Sequence, residues 1–155
     1  MRKWLVAGLT LVLLVEGWPA QGSPPPPGQG SPKDAGEAFD RASAVFLGEV
    51  VKVQRDALGF TSLANVRVEK VWKGCQELGG PRVQVDGTGG PTYPARVFAL
   101  GQRSIFYVDP GGNVAQPLRT FRADSYLHRV VNLAQAQDDL RYLAQHKPEI
   151  TCAWR

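Results

Sequence analysis

Apolar positions follow two different periods along this chain, and the change between them divides it. From Ala44 to Phe121 they come in short runs punctuated by Gly, Pro, Asn and Asp; from Leu133 they recur every three to four residues. Ala44 to Val53 predicts a first strand. Its early residues are apolar on both faces, with Val45, Leu47, Val51 and Val53 on one and Phe46, Gly48 and Val50 on the other. Lys52 and Gln54 then make the second face polar. Leu63 to Trp72 predicts a second strand, in which Ala64, Val66 and Val68 alternate with Asn65, Arg67 and Glu69. Val71 and Trp72 break that alternation, which predicts a β-bulge near Lys70. Arg82 to Gly87, Arg103 to Val108 and Val114 to Phe121 predict three more strands, and Pro117 places the last at an edge or a break. The glycine- and proline-rich stretch from Gly87 to Pro94 predicts a loop, and Asp109 to Asn113 a turn.

Beyond these strands, Leu133, Ala136, Leu140 and Leu143 lie at helical spacing. Asn132 and Gln135 have the spacing of a capping box, and Pro148 stops the helix. The fold class is therefore mainly β. Five short strands and one helix predict a five-stranded OB-like antiparallel barrel with a C-terminal α-helix. A two-sheet sandwich is the alternative, but it normally uses about seven strands.

The amino-terminal pattern differs from all of this. Met1, Arg2 and Lys3 are followed by a charge-free run from Trp4 to Val15, then Glu16, Gly17 and a Pro/Gly/Ser stretch. This is the layout of a secretory signal peptide, and it predicts export to the medium, the periplasm or the cell envelope. The run is too short to span a bilayer, which takes about 20 residues. An uncleaved anchor is the alternative; cleavage after Gly17 or after Gly22 fits the small-residue rule. The expected boundaries are 1–22 for the signal, 23–37 for a Pro/Gly-rich linker, 38–147 for the barrel domain and 148–155 for a tail. The linker holds Ser23-Pro24-Pro25-Pro26-Pro27-Gly28, expected as an extended spacer. A polyproline ligand for a partner domain is the other reading.

Charge narrows the partners. The 18 basic and 14 acidic residues leave a net charge of +4, and removing Arg2, Lys3 and Glu16 lowers it by one. This falls short of the basic stripe of a nucleic-acid binder. Export also changes the reading of the two cysteines, Cys75 and Cys152: an even count in an oxidising compartment predicts a disulfide. Two unrelated thiols are the alternative.

Candidate chemistry is sparse. His128 and His146, the only histidines, lack zinc-site spacing with each other or with either cysteine. Asp124, Ser125 and His128 lie close in sequence, but adjacency is not the convergence of nucleophile, base and orienter that a triad needs. They are expected as a polar connection between barrel and helix. Asp138-Asp139 is expected on a solvated helix face. Trp72 is expected to plug the end of the barrel rather than stack on a ligand. Arg119, Arg122 and Arg129 form a loose basic group. No nucleophile elbow, P-loop or metalloprotease helix motif occurs. No metal and no cofactor are expected.

Three segments carry a resemblance: Ala44-Val45-Phe46-Leu47-Gly48-Glu49-Val50, Val68-Glu69-Lys70-Val71-Trp72-Lys73-Gly74 and Gly101-Gln102-Arg103-Ser104-Ile105-Phe106-Tyr107. With the closing helix from Leu133 to Leu143, they resemble the bacterial proteins related to tissue inhibitors of metalloproteinases and netrin modules. The resemblance spans roughly Ala44 to Leu143. It implies an OB-like barrel in which Gly48, Trp72, Lys73, Gly74 and Gly101 are structural positions. Inhibitors of that family chelate the protease zinc through an N-terminal cysteine. No cysteine precedes Cys75 here, and Pro91-Thr92-Tyr93-Pro94 and Phe121-Arg122-Ala123-Asp124 lack the family's other cysteines. The resemblance thus implies the fold, and not zinc chelation.

Together these readings predict a secreted or envelope-exposed, non-catalytic binding module whose partner is another extracellular or envelope protein. Trp72, Tyr93, Arg119, Arg122 and Arg129 are the candidates for a binding surface, Trp72 being expected in the barrel end first. An extracellular protease inhibitor acting through barrel loops is the runner-up. An OB-type oligosaccharide or nucleic-acid binder is a further alternative, nucleic acid being the less expected. A small hydrolase is a third class, disfavoured by the lack of a nucleophile–base pair.

Overall fold

Strand β1 (Ala44–Arg55) organises the molecule, because its first half is buried on both faces. A computed structural model describes residues 30–111 and 117–154. The expected signal, the linker up to residue 29 and the start of the expected fifth strand therefore lie outside the described residues. β1 pairs antiparallel with β2 (Ser62–Lys73) along its length and with β4 (Arg103–Pro110) through Ala44 to Glu49. β2 pairs with β3 (Arg82–Asp86), β3 with β5 (Thr120–Arg122), and β5 with β4. The ring β1-β2-β3-β5-β4 closes on itself, so the chain is mainly β and forms the five-stranded OB-like barrel, with helix α3 (Gln137–His146) after it.

One seam corrects the all-antiparallel expectation. β3 and β5 run parallel, with Gln84 opposite Thr120 and Val85 opposite Phe121. Strand directions can alternate around a closed ring only if the number of strands is even, so five strands require one parallel pair. β5 is also shorter than expected and begins at Thr120, after Pro117. Pro117 has no N–H to offer a ladder. A sixth strand, β6 (Arg129–Asn132), pairs antiparallel with β4 through Ser104 to Tyr107. Its only apolar residues are Val130 and Val131, too short a run to declare a strand by pattern.

Two apolar layers explain β1. Phe46, Val50, Val66, Val83, Val85, Phe106 and Phe121 fill the barrel, and the Phe46 and Phe106 rings stack at 5.0 Å. Val45, Leu47, Trp72, Ile105 and Tyr107 face outward, beneath α1 (Ala35–Arg41) and α3. Trp72 is thus buried in the outer layer, not at the barrel end. The slip expected near Lys70 is present: Leu47 faces Lys70 while Gly48 faces Val68, and Phe46 faces Val71 while Val45 faces Lys73. The extra residues Glu69 and Trp72 turn Val71 into the barrel and Trp72 out of it. A third slip makes Val51 the extra residue of β1. Val51 is exposed and Val53 packs against the interior, so these two do not share the face of Val45 and Leu47.

Helix α1 starts before the expected domain boundary at residue 38. The Asp34 carboxylate accepts the Glu37 amide at 2.8 Å and caps α1, which buries Ala35, Ala38 and Phe39. Within the expected linker the only buried residue of α1 is the small Ala35, which gave the linker reading nothing large to detect. The Asn132 side chain does cap, but it caps a 3₁₀ turn (Leu133–Gln135), and α3 starts two residues later.

Cys75 opens the single-turn helix α2 (Cys75–Leu78) and is bridged to Cys152, with the Cα atoms 5.6 Å apart. The bridge draws the carboxy-terminal strap along β2 beyond Arg67, where pairing with β3 ends. There the Ile150 amide donates to the Val71 carbonyl at 2.7 Å, and Lys70 pairs with Glu149 at 2.9 Å. An edge that would otherwise present bare backbone groups is thereby covered. Among the described residues, no helix is long and apolar enough to cross a membrane.

Candidate functional site

The polar residues on the helical side of the barrel form two networks. In the first, Asp139 is 2% exposed and takes three hydrogen bonds: from the Tyr107 hydroxyl at 2.9 Å, Arg129 Nε at 2.9 Å and Arg129 Nη2 at 2.7 Å. This overturns the solvated reading for Asp139 and leaves it for Asp138, whose side chain is 90% exposed. Neighbouring helix residues point about 100° apart, so one faces β4 and the other water. Burial, aided by the Asp139 charge, pushes the Tyr107 hydroxyl far above the usual tyrosine range. The hydrogen bond to Asp139 holds Arg129 above its ordinary value.

The second network surrounds His128, whose side chain is 6% exposed. Its Nε2 lies 3.2 Å from Asp109 Oδ2. Asp109 Oδ1 accepts the Ser43 hydroxyl at 2.6 Å and the Ser43 amide at 2.9 Å. Partial burial would raise Asp109, but Ser43 and His128 outweigh it and hold its carboxyl below the usual range. His128 Nδ1 lies 3.2 Å from Asp124 Oδ2 without hydrogen-bond alignment. The order here is Ser, Asp, His. A carboxylate, not the imidazole, receives the serine proton, so this is not the geometry of an activated nucleophile. The half-buried Arg96 donates to the carbonyls of Ala123 (2.7 Å), Asp124 (3.3 Å) and His128 (2.8 Å) and braces the same segment. Burial lowers its pKa, and Asp124 offsets part of that. Among the described residues, no group of three or more His, Cys, Asp or Glu side chains is placed to hold a metal.

The five residues expected as a binding surface do not converge on one face. Trp72 is buried. Arg119 donates to the Gln76 and Glu77 carbonyls of α2, both at 2.8 Å. Arg129 is engaged by Asp139. Only Arg122, paired with Asp124 at 3.2 Å, and Tyr93, stacked on Tyr126 at 6.1 Å, meet at one segment, the 124–126 turn. The family-motif residues are placed by packing. Lys73 Nζ donates to the Phe39 carbonyl at 3.0 Å, at the end of α1. Gly74 has φ +87°, and a Cβ there would stand 2.6 Å from the Ser43 carbonyl. Gly101 has φ +76° in the turn before β4.

A different surface stands out. Leu58 (78% exposed) and Phe60 (60%) occupy the tip of the β1–β2 hairpin, and Val97 (70%) and Leu100 (74%) the loop before β4. The two loops are tied together. The Arg55 guanidinium donates to the Phe98 carbonyl, Ser62 Oγ to the Arg96 carbonyl, and the Gly101 amide to the Val50 carbonyl at 2.8 Å. Leu58-Gly59-Phe60 and Val97 to Gly101 are apolar stretches beside glycines, and that was the available sequence signal. No protein-family model and no curated protein matches the chain.

Proposed function

We propose that this chain is a secreted or envelope-exposed binding module without catalytic activity. Its docking surface is the paired loop tip formed by Leu58, Phe60, Val97 and Leu100, and its partner is another extracellular or envelope protein. The observation that carries the reading is the exposure of four large apolar side chains on two hydrogen-bonded loops. Large apolar side chains left exposed on adjoining loops are a feature of interaction sites when they make up one patch. The polar networks support the same reading, because their charged groups are spent on one another. Export through the amino-terminal apolar run accords with the Cys75–Cys152 bridge, since disulfides persist in oxidising compartments.

The test compares capture from the medium and envelope fractions by the wild-type chain and by a Phe60→Asp/Leu100→Asp variant. A specific partner retained by the first and lost by the second, at equal melting midpoints, supports the proposal. Equal capture by both refutes it.

A further inference from the structure

The strap from Pro148 to Trp154 is held to the barrel by little apart from its disulfide. None of its residues is fully buried, and Ile150 is 40% exposed. It meets β2 through an isolated bridge, Val71 opposite Ile150, and not through a ladder. Its ion pair, Lys70 with Glu149, joins side chains that are 40% and 52% exposed, and pairs so exposed hold weakly. A cavity of about 180 Å³ is lined by Val68 to Val71 on one side and by Glu149 to Cys152 on the other, so the strap does not pack flush on the strand. Trp154 rests partly buried against the barrel core. The remaining tie is covalent, the bridge from Cys152 to Cys75.

The structure on either side of that bridge is anchored without it. The ring β1-β2-β3-β5-β4 closes without the strap. Helix α3 is seated by Leu143, which is fully buried in the outer apolar layer. The Lys147 amide donates to the Leu143 carbonyl at 3.1 Å, and the Lys147 ammonium sits 4.6 Å from the centre of the Phe39 ring. The anchored part thus ends at Lys147, and Pro148, which cannot extend a helix, begins the strap. Segments with few buried contacts open first, at far less cost than the core. Cys75 and Cys152 are each only half-buried, and disulfides that solvent can reach are the labile ones.

We infer that Cys75–Cys152 is a thiol-operated latch: a dithiol reduces it in the folded protein, and the strap leaves β2 while the barrel stays closed. A thiolate of the dithiol attacks one sulfur of the bridge, forms a mixed disulfide with that cysteine and expels the other. The second thiol of the reductant then expels the first cysteine and closes the reductant's own disulfide. Two electrons and two protons pass to the cysteines. Opening returns the Val71 carbonyl and the Lys70 ammonium to water and bares the β2 edge beyond Arg67.

The test is amide NMR with hydrogen exchange on the whole chain, oxidised and then treated with dithiothreitol in the absence of denaturant. Thiol labelling of the folded protein follows the reduction. Both cysteines should label, and the Ile150 amide should then exchange within about tenfold of the unfolded-chain rate. The Val71 and Trp154 signals should shift, and those of Val66, Val85, Phe106 and Leu143 should stay in place. Cys75→Ser/Cys152→Ser should show the same pattern without reductant. A bridge that resists dithiothreitol until denaturant is added overturns the inference. So does an Ile150 amide that keeps its protection in the reduced chain or in the double variant. Collapse of all dispersed signals on reduction overturns it as well, because the bridge is then a staple of the whole fold and not a latch.

Discussion

Removing the Asp139 carboxylate should destabilise the fold far more than removing its neighbour on α3, Asp138. Its carboxylate is 2% exposed and holds Tyr107 and both donors of the Arg129 fork. In Asp139→Ala the Tyr107 hydroxyl is left buried without a partner, and Arg129 loses its counter-charge. Breaking a buried ion pair by removing one partner costs about 3–5 kcal/mol. The Arg129 side chain is 27% exposed and can turn partly to water, which favours the lower end, about 3 kcal/mol. For a domain of this size that is a fall in melting midpoint on the order of 10 °C. Asp139→Asn keeps an acceptor for Tyr107 but loses the charge, and should cost about 1.5–3 kcal/mol. Asp138→Ala, one residue away and exposed, should change stability by less than about 0.5 kcal/mol. Urea denaturation of the three variants measures the series. An Asp139→Ala loss no greater than that of Asp138→Ala would refute the reasoning.

Gly48→Val should cost about 1–3 kcal/mol by overpacking, since a Cβ at Gly48 would stand 2.4 Å from Val66 Cγ1 and 2.9 Å from the Arg67 carbonyl; an unchanged denaturation midpoint would contradict this register. Replacing Cys75 and Cys152 together by Ser should cost about 4 kcal/mol by freeing a loop with a sequence separation of 77, and thiol labelling of the unreduced, denatured wild type should modify neither cysteine. Tyr107 is held above its ordinary value, so its stabilising contribution is complete below about pH 10 and is lost as the pH rises further, where the unfolded chain releases the proton first. Tyr107→Phe should flatten the loss of stability above about pH 10 relative to wild type; parallel alkaline profiles would exclude that role. Asp109, held below its ordinary value, contributes stability present above about pH 4 and lost on further acidification, and Asp109→Asn should weaken that acid dependence in a pH-dependent melting series.

Local pattern made much of the barrel legible. The two-faced burial of early β1, the slip near Lys70 and the glycine at Gly48 follow from period-two alternation and from space, both properties of adjacent residues. The Cys75–Cys152 bridge was legible from the even cysteine count and the expected export. The parallel β3–β5 seam was not, because it is a consequence of closing an odd ring, which no segment carries by itself. Helix α1 and strand β6 were missed because a seven-residue helix with one large apolar residue and a two-valine strand gain their stability from what they pack against. The candidate site divides in the same way. The tip residues were visible as apolar stretches beside glycines, but their exposure depends on how the hairpin tip and the loop before β4 meet. Trp72, Arg119 and Arg129 had the chemistry of a binding surface in sequence, and the fold spent each on an internal partner. Asp138 and Asp139 are the sharpest case: adjacent and identical in type, they differ wholly in environment because a rotation of about 100° along α3 carries one to Tyr107 and leaves the other in water. Sequence alone determined which residues could be buried or bridged; tertiary packing decided which polar groups meet, since burial of a charge depends on partners brought together from distant parts of the chain.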